Sequence, residues 1–471
     1  MISKAGQRLK YVAVDLVTSN IAILLFDILR FYSLPSENIG FVSLGVFLTS
    51  RVLLVEQIVL PILMTGIFAL SGYYNEPLQR SRIQEFFTTA LTQIANTLLI
   101  YFALLTNQAT SVRATNIILL LTLYVILTAL CYTGRWIVTG AMFSRFRNGK
   151  EQYNVMVAGS PETAPDIASK IKKNSVHTGQ NFAGYVCMEG NPEDFPKGEK
   201  VYTPEELLAP DSQANPQEIV LCGTRHEEET LHRIHLLIPL EIPLKITPDS
   251  VSALNSNIRL QSIYEEPYID ASSANVSEFT KNAKRLLDIS VSALALVLLA
   301  LPMAAIAFMV KRSSPGPAFF SQERIGYRRR PFRIYKFRTM RTDAEADGPR
   351  LSCENDPRVT PLGAVLRKYR IDELPQFWNV LRGDMSLVGP RPERRFFIRQ
   401  IMEREPSYTL VHLVRPGITS WGMVKYGYAS HVDEMVRRLR YDLIYISNMS
   451  VSVDIKILIY TLKTVFKGRG L

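Results

Sequence analysis

Apolar residues are spread unevenly along the 471-residue chain, and the length and period of their runs change from one third to the next. Runs near 11–33, 52–74, 84–106 and 115–138 are each about 20 residues or longer, enough to cross a bilayer as a helix. Asp15 and Asp27 fall in the first and Glu56 near the start of the second, which loosens the boundaries rather than the spans. Between 152 and 247 the pattern becomes short β-rich runs separated by helical ones. It predicts strands over 155–158, 182–187, 218–222 and 243–247, with helices over 164–173 and 226–237. Such alternation implies a small parallel α/β sheet of Rossmann type. An apolar run returns at 286–310, with Asp288 as its only charge and Pro302 inside it. The tail, 433–465, places Val436, Leu439, Leu443 and later Ile455, Leu458 and Leu462 at helical spacing, with Lys456 and Lys463 alongside. That pattern suits either packing on a core or lying in a bilayer interface.

Charge orients these segments. Lys4, Arg8 and Lys10 precede the first run, Arg80 and Arg82 lie between the second and third, and Arg145, Arg147 and Lys150 follow the fourth. Because basic loops stay in the cytosol, both ends of the four-helix unit are expected there. The 286–310 run differs. Lys281, Lys284 and Arg285 stand before it, and Lys311, Arg312 and Arg328 to Arg330 after it. Basic residues on both flanks do not suit a spanning helix, and Pro302 removes a backbone hydrogen bond midway. The reading is a helix that enters the cytosolic leaflet, breaks and returns.

Lysines and arginines number 12 against 6 acidic residues over 1–150, 9 against 19 over 151–276, and 33 against 18 over 277–471. An acidic module thus separates two basic, membrane-linked ones, which suggests a docking, stabilising or homo-oligomerising role for it. The basic last third suits membrane lipid or phosphate-bearing substrates. No nucleic acid is expected as a partner, since the region has an apolar helix and no recognised nucleic-acid module. Cys131, Cys187, Cys222 and Cys353 form no CxxC, so neither a disulfide framework nor a structural zinc is expected. His232 and His235, spaced as helix neighbours, have no third ligand of matching spacing and read as surface residues. The turn after the first predicted strand, Gly159 to Thr163, lacks the second and third glycines that bring a backbone close to a pyrophosphate.

The densest chemistry begins at Asp372-Glu373-Leu374-Pro375-Gln376 and continues through Gly383 to Glu393. Adjacent carboxylates repel unless a cation or arginines offset them, and Arg367, Arg370, Arg382 and Arg391 stand close by. This makes poor core material but suits holding a metal ion and attacking a phosphoryl group. Three more motifs keep order with it: Lys336-Phe337-Arg338-Thr339-Met340, Gly389-Pro390-Arg391-Pro392-Glu393 and Arg415-Pro416-Gly417-Ile418-Thr419.

Over residues 278–471 these motifs resemble the bacterial sugar transferase family, the monotopic polyprenyl-phosphate phosphoglycosyl transferases. With the preceding segments the chain resembles the family's long form, which starts exopolysaccharide or O-antigen synthesis. The resemblance implies transfer of a sugar 1-phosphate from a UDP-sugar to undecaprenyl phosphate, with release of UMP. It implies Asp372 as a nucleophile forming a phosphosugar intermediate, with Glu373 assisting and Mg²⁺ held by Asp372 and Glu373. Lys336 and Arg338 stand where the family holds phosphate-contacting cations. Arg391 and Arg415 occupy its Pro-adjacent arginine positions, Arg370 and Glu393 lie in the same motifs as substrate contacts, and Asp442 matches a later acidic position. Pro302 matches the kink of a re-entrant helix, although Leu301 precedes it where the family usually has Ser.

The expected architecture is therefore a transmembrane α-helical region (1–150), a Rossmann-like nucleotide-binding-like domain (151–270) and a mostly α catalytic domain (278–471). Its expected place is a bacterial inner membrane, with the catalytic domain facing the cytosol. Two other classes compete. A membrane-bound nucleotide-sugar dehydratase or epimerase needs an intact glycine loop and a YxxxK pair, and no Tyr here has Lys four residues on. A non-catalytic scaffold gives no reason for the Asp-Glu and Pro-Arg-Pro motifs.

Overall fold

The computed structural model describes residues 4–33, 43–75, 77, 82–104, 113–148, 152–209, 212, 214–223, 227–247, 269–270, 276–345, 348, 350–351, 356–427 and 429–466. Arg80, Lys150 and Cys353, together with residues 105–106 of the third apolar run and 248–268 of the middle module, lie outside the described residues. The chain divides into two compact units. Among the described residues, one takes in those of 1–154 and Ala168–Phe182, and the other those of Val155–Ile167, 183–259 and 268–471.

In the first unit the apolar runs fold as α1 (Lys4–Ser33), α2 (Leu44–Leu48), α3 (Arg51–Leu70), α4 (Arg82–Leu104) and α5 (Arg113–Arg147). Ser43 and Ser50 start α2 and α3, their hydroxyls accepting from the Val46 and Leu53 N–H groups. Helices α1 and α5 run antiparallel. Tyr11 meets Thr139 at 2.8 Å, Asp15 meets Arg135 at 2.7 Å, and Ser19 meets Cys131 at 3.7 Å. Helices α1, α3 and α5 are long and apolar enough to cross a membrane.

The third run behaves differently from its three neighbours. It forms α4, 23 residues long. A stripe on it, Glu85, Thr89, Gln93 and Asn96, turns inward and is buried, while Phe87, Leu91, Leu98 and Phe102 face outward. Polar groups inside and apolar groups outside is the reverse of a soluble bundle. It is the arrangement lipid favours, because hydrocarbon offers polar groups no partners.

Mid-chain, the strands are β1 (Tyr153–Gly159), β2 (Gln180–Cys187), β3 (Val201–Tyr202), β4 (Glu218–Leu221), β5 (Leu244–Ile246) and β6 (Ile269–Asp270), in the order β3-β2-β1-β4-β5-β6. Pairings β1/β4, β2/β3 and β4/β5 are parallel, and β6 joins antiparallel. The four expected strands are present. The edge strands β3 and β6, two residues each, are too short to show a period. Helices α6 (Ala164–Thr178), α7 (Pro204–Leu208) and α8 (Glu227–Leu237) accompany them. A Cβ at Gly159 would sit 2.9 Å from the Cys222 sulfur, so this glycine serves close packing of two strand ends.

Within the second unit, Leu413 joins the apolar cluster of Leu237, Ile238 and Leu244. The Arg329 guanidinium donates to the His235 carbonyl at 2.8 Å, and His235 Nδ1 contacts the Thr409 hydroxyl at 2.9 Å. His232 is exposed as expected, but His235 is half-buried. Burial, then the nearby Arg329 charge, push its pKa down to about 4. Helical spacing alone did not reveal that one face of α8 is covered.

The 286–310 run becomes α9 (Glu278–Leu298) and α10 (Ala300–Ser313), bent by 64°. Taken as one span, the pair would be a fourth membrane helix by length and composition. The break falls at Leu299, three residues before Pro302, which has no N–H to offer the preceding turn. Both arms are tied to one body. Lys284 donates to the Val388 carbonyl at 2.8 Å, Arg285 to that of Val380 at 2.7 Å, and Asp288 accepts the Leu387 N–H at 3.0 Å. At the far end, Arg338 donates to the Ser314 and Pro315 carbonyls, each at 2.7 Å.

Candidate active site

The site is assembled on a hairpin, β7 (Phe319–Ile325) and β8 (Pro331–Phe337), paired antiparallel with Phe320 opposite Lys336. Thr360 caps α11 (Pro361–Lys368), its hydroxyl accepting the Gly363 N–H. A Cβ on Gly363 would lie 2.1 Å from the Thr339 carbonyl oxygen, so only glycine lets α11 approach the end of the hairpin. Arg370 then takes a left-handed conformation (φ 56°), which turns the chain sharply. A single 3₁₀ turn, Ile371–Glu373, carries the two carboxylates before α12 (Gln376–Arg382) begins.

Asn379, fully buried on α12, fixes this turn against the hairpin. Its amide donates to the Arg333 carbonyl at 2.7 Å and accepts the Tyr335 N–H at 3.1 Å. In this way the element carrying Asp372 and Glu373 is held beside the strand carrying Lys336. Further on, β9 (Ser386–Val388) pairs parallel with β10 (Gly417–Thr419). At Gly389 a Cβ would sit 2.3 Å from the Arg415 carbonyl oxygen, so the Gly-Pro-Arg-Pro and Arg-Pro-Gly motifs lie backbone to backbone.

Glu373 is buried among cations. Its Oε1 lies 3.0 Å from Lys336 Nζ and 3.4 Å from an Arg391 nitrogen, and its Oε2 lies 3.4 Å from Arg370 Nε. Burial would raise its pKa, but Lys336, Arg370 and Arg391 outweigh that and hold the carboxyl well below the usual range. Asp372 is 8% exposed and accepts no hydrogen bond among the described residues. Its pKa is raised, first by desolvation and then by the adjacent Glu373 charge, against the pull of Lys336. One carboxylate is therefore neutralised and occupied, and its neighbour is unoccupied.

Both face a cavity of about 420 Å³ whose lining includes Arg324, Lys336, Arg350, Arg367, Arg391 and Arg438. Glu393 forms part of its wall, clamped by Arg438 at 2.7 Å and Arg324 at 3.3 Å. Burial lowers the Arg324 pKa to about 10. Asp442 lies one turn beyond Arg438 on α15 (Val432–Ser447), after α13 (Arg395–Met402) and α14 (Trp421–Lys425) and before α16 (Val451–Phe466). It is buried and accepts the Gly422 N–H at 3.2 Å. Burial lifts its pKa to about 6 against the opposing Arg438 charge.

The structure thus brings Lys336, Arg370, Asp372, Glu373, Arg391 and Glu393 together. Arg338 lines the same cavity, and its guanidinium also bonds the Ser314 and Pro315 carbonyls that close α10. Arg415 is exposed and donates to the Gly383 carbonyl at 3.1 Å. Arg324, Arg438 and Asn379 were missed by sequence reasoning. The first two sit outside the motifs; Asn379 sits just past one, where a buried amide looks like any polar helix residue.

Among the described residues no three His, Cys, Asp or Glu side chains converge on a metal position. Two carboxylates fit only an ion that keeps most of its ligands on water and substrate oxygens, which is the habit of Mg²⁺.

A family model described as Bacterial sugar transferase matches residues 279–468. The chain is 46% identical over 187 residues to the UDP-N-acetylgalactosamine-undecaprenyl-phosphate N-acetylgalactosaminephosphotransferase of Aeromonas hydrophila, covering 40% of this chain and 44% of that one. It is 37% identical over 237 residues to the UDP-glucose:undecaprenyl-phosphate glucose-1-phosphate transferase of Escherichia coli K12, covering 50% of each. These matches span about half the length of those two relatives. The exopolysaccharide production protein PSS of Rhizobium leguminosarum bv. phaseoli is 38% identical over 195 residues, which is 40% of this chain and 97% of that protein. The cation-lined cavity, the motifs that build it and these matches coincide on one stretch of sequence, and the chain belongs to the bacterial sugar transferase family.

Proposed function

We propose that this protein is a membrane-bound phosphoglycosyl transferase that moves a sugar 1-phosphate from a UDP-sugar to undecaprenyl phosphate, initiating a bacterial surface polysaccharide. The single observation that carries the reading is the pairing of a cation-saturated Glu373 with an unbonded, desolvated Asp372 at one cationic cavity.

An Asp372 carboxylate oxygen attacks the phosphorus that bears the sugar. The bridging P–O bond breaks toward the nucleoside monophosphate, and UMP leaves with the electron pair. A phosphate oxygen of the polyprenyl acceptor then attacks the same phosphorus. The acyl phosphate bond breaks, which restores the carboxylate and releases polyprenyl diphosphate sugar. Splitting one attack of anion on anion into two steps is the usual gain from covalent catalysis. The cavity arginines hold diphosphate oxygens, and buried cations act more strongly there than they would in water. Glu373 keeps Lys336, Arg370 and Arg391 in place. Asp372 and Glu373 would also be the protein's ligands to Mg²⁺, which when bound supplies neutralisation of diphosphate charge.

In this reading α9 and α10 form a re-entrant hairpin, entering and leaving the cytosolic leaflet of the inner membrane. Their basic flanks and the hydrogen bonds tying both arms to the catalytic body support it. The sheet module is Rossmann-like and nucleotide-binding-like, and its Gly159 turn is used for packing. The test is to incubate the purified protein with polyprenyl phosphate, Mg²⁺ and a panel of UDP-sugars. UMP release beyond one turnover that depends on one sugar and on the acceptor is the expected outcome. No release with any donor would remove the proposal.

A further inference from the structure

The first unit contains a groove that the proposed chemistry leaves unused. It lies between the N-terminal end of α1 and the C-terminal end of α5, with a volume of about 320 Å³. One end is lined by Gln7, Lys10 and Arg145, the other by apolar residues including Ala13, Val14, Val138 and Ala141. The two sets follow helical spacing, 7, 10 and 14 on α1 and 138, 141 and 145 on α5, so each helix contributes one continuous stripe. No acidic side chain lines the groove.

Gln7 is 4% exposed, and its Nε2 donor has no hydrogen-bond partner among the described residues. A buried amide donor left unmet is costly, so its presence here calls for an acceptor. Lys10 has no ion-pair or hydrogen-bond partner among the described residues either. Nearby Arg8 differs, being committed to the Tyr74 and Asn75 carbonyls. Around the groove Leu9, Val17 and Ile137 point outward, each more than half exposed, so its apolar stretch opens toward hydrocarbon rather than water. A ligand matching this lining has an anionic, acceptor-rich head and an apolar chain, with the head at the level where basic residues end a membrane helix.

We propose that this groove is a binding site for an anionic phospholipid. Its phosphodiester oxygens accept from Gln7 Nε2 and face Lys10 and Arg145, and an acyl chain lies along Val14, Val138 and Ala141. Occupancy ties the two helix ends together, because both stripes contribute to one ligand.

The test uses the full chain in detergent, titrated with phosphatidylglycerol and followed by native mass spectrometry. Parallel arms use phosphatidylcholine, polyprenyl phosphate and inorganic phosphate. Phosphatidylglycerol should bind in preference to phosphatidylcholine, inorganic phosphate should not displace it, and polyprenyl phosphate should compete no better than phosphatidylglycerol itself. Lys10→Glu should weaken binding about tenfold. Ala141→Trp should abolish the preference by filling the apolar half while leaving every charge in place. Equal binding of the two phospholipids by the wild-type protein would overturn the proposal, whatever the variants do. So would an Ala141→Trp variant that binds like wild type, or displacement of bound phosphatidylglycerol by polyprenyl phosphate at lower concentration than by phosphatidylglycerol itself, which would make the groove an acceptor-lipid site.

Discussion

Asp15 and Asp372 are both buried carboxylates beside arginines, yet they are handled in opposite ways. In the helical unit, Asp15 takes two bonds from Arg135, at 2.8 and 2.7 Å, and a third from the Tyr74 hydroxyl at 2.6 Å. Arg135 spends another donor on Thr89 at 2.7 Å and lies over the Tyr73 ring, 3.5 Å from its centroid. Asp15 and Arg135 satisfy each other within this network, and the cluster holds helices together. In the catalytic unit Glu373 takes up three cations, and Asp372 is left without a bond beside open space. Saturated charge is structural, and charge left unsaturated around a cavity is chemical.

The largest effect should come from the unsaturated side. Asp372→Asn keeps the shape and removes the nucleophile, so UMP release should fall about 10⁴-fold while melting temperature stays near wild type. A variant that kept a tenth of wild-type turnover would end the distinction. Next is the saturated side. Asp15→Ala strands the Arg135 charge and should cost about 3–5 kcal/mol in detergent unfolding. Replacing both partners with Leu and Met should restore more than half of that, and turnover per folded molecule should be unchanged in the double variant.

A smaller loss is expected at Asn379, whose two bonds hold the carboxylate turn to β8. Asn379→Ala should destabilise by about 1–3 kcal/mol and lower kcat more than KM, since positioning is lost rather than binding. An unchanged kcat would mean that the turn holds itself.

The smallest effect concerns pH. Burial, then the Arg329 charge, depress the His412 pKa to about 3. The unfolded chain takes up a proton near pH 6.5 that the folded one refuses. His412 therefore contributes stability fully above pH 6.5 and loses it as pH falls toward 3, at up to about 1.4 kcal/mol per pH unit. Asp442, with its pKa raised to about 6, acts in the opposite sense, gaining as pH falls from about 6 toward 4. Comparing wild type with His412→Gln isolates the first term. Identical pH slopes for the two would refute it.

Much of the site was legible because Asp372, Glu373, Lys336 and Arg391 lie in compact motifs whose composition makes no sense as core. Pro302 announced the bend, although the break itself sits at Leu299. What stayed hidden depends on tertiary contact. Arg438 and Arg324 reach Glu393 from elements 45 and 69 residues away. Arg338 sits in a motif, yet its bonds to the Ser314 and Pro315 carbonyls show only in the fold. Helix α4 reads as a plain span by length, and only the burial of Glu85, Gln93 and Asn96 shows which side faces the bundle.

In the proposed mechanism the unbonded carboxylate is the one that reacts. Intact-protein mass spectrometry of wild type and Asp372→Asn, each mixed with a UDP-sugar accepted in the UMP assay and Mg²⁺ but no polyprenyl phosphate, tests it most directly. Wild type should gain the mass of one phosphosugar, removed by adding the acceptor, and Asp372→Asn should gain no adduct. The same adduct on the variant, or none on an active wild-type protein, would contradict it.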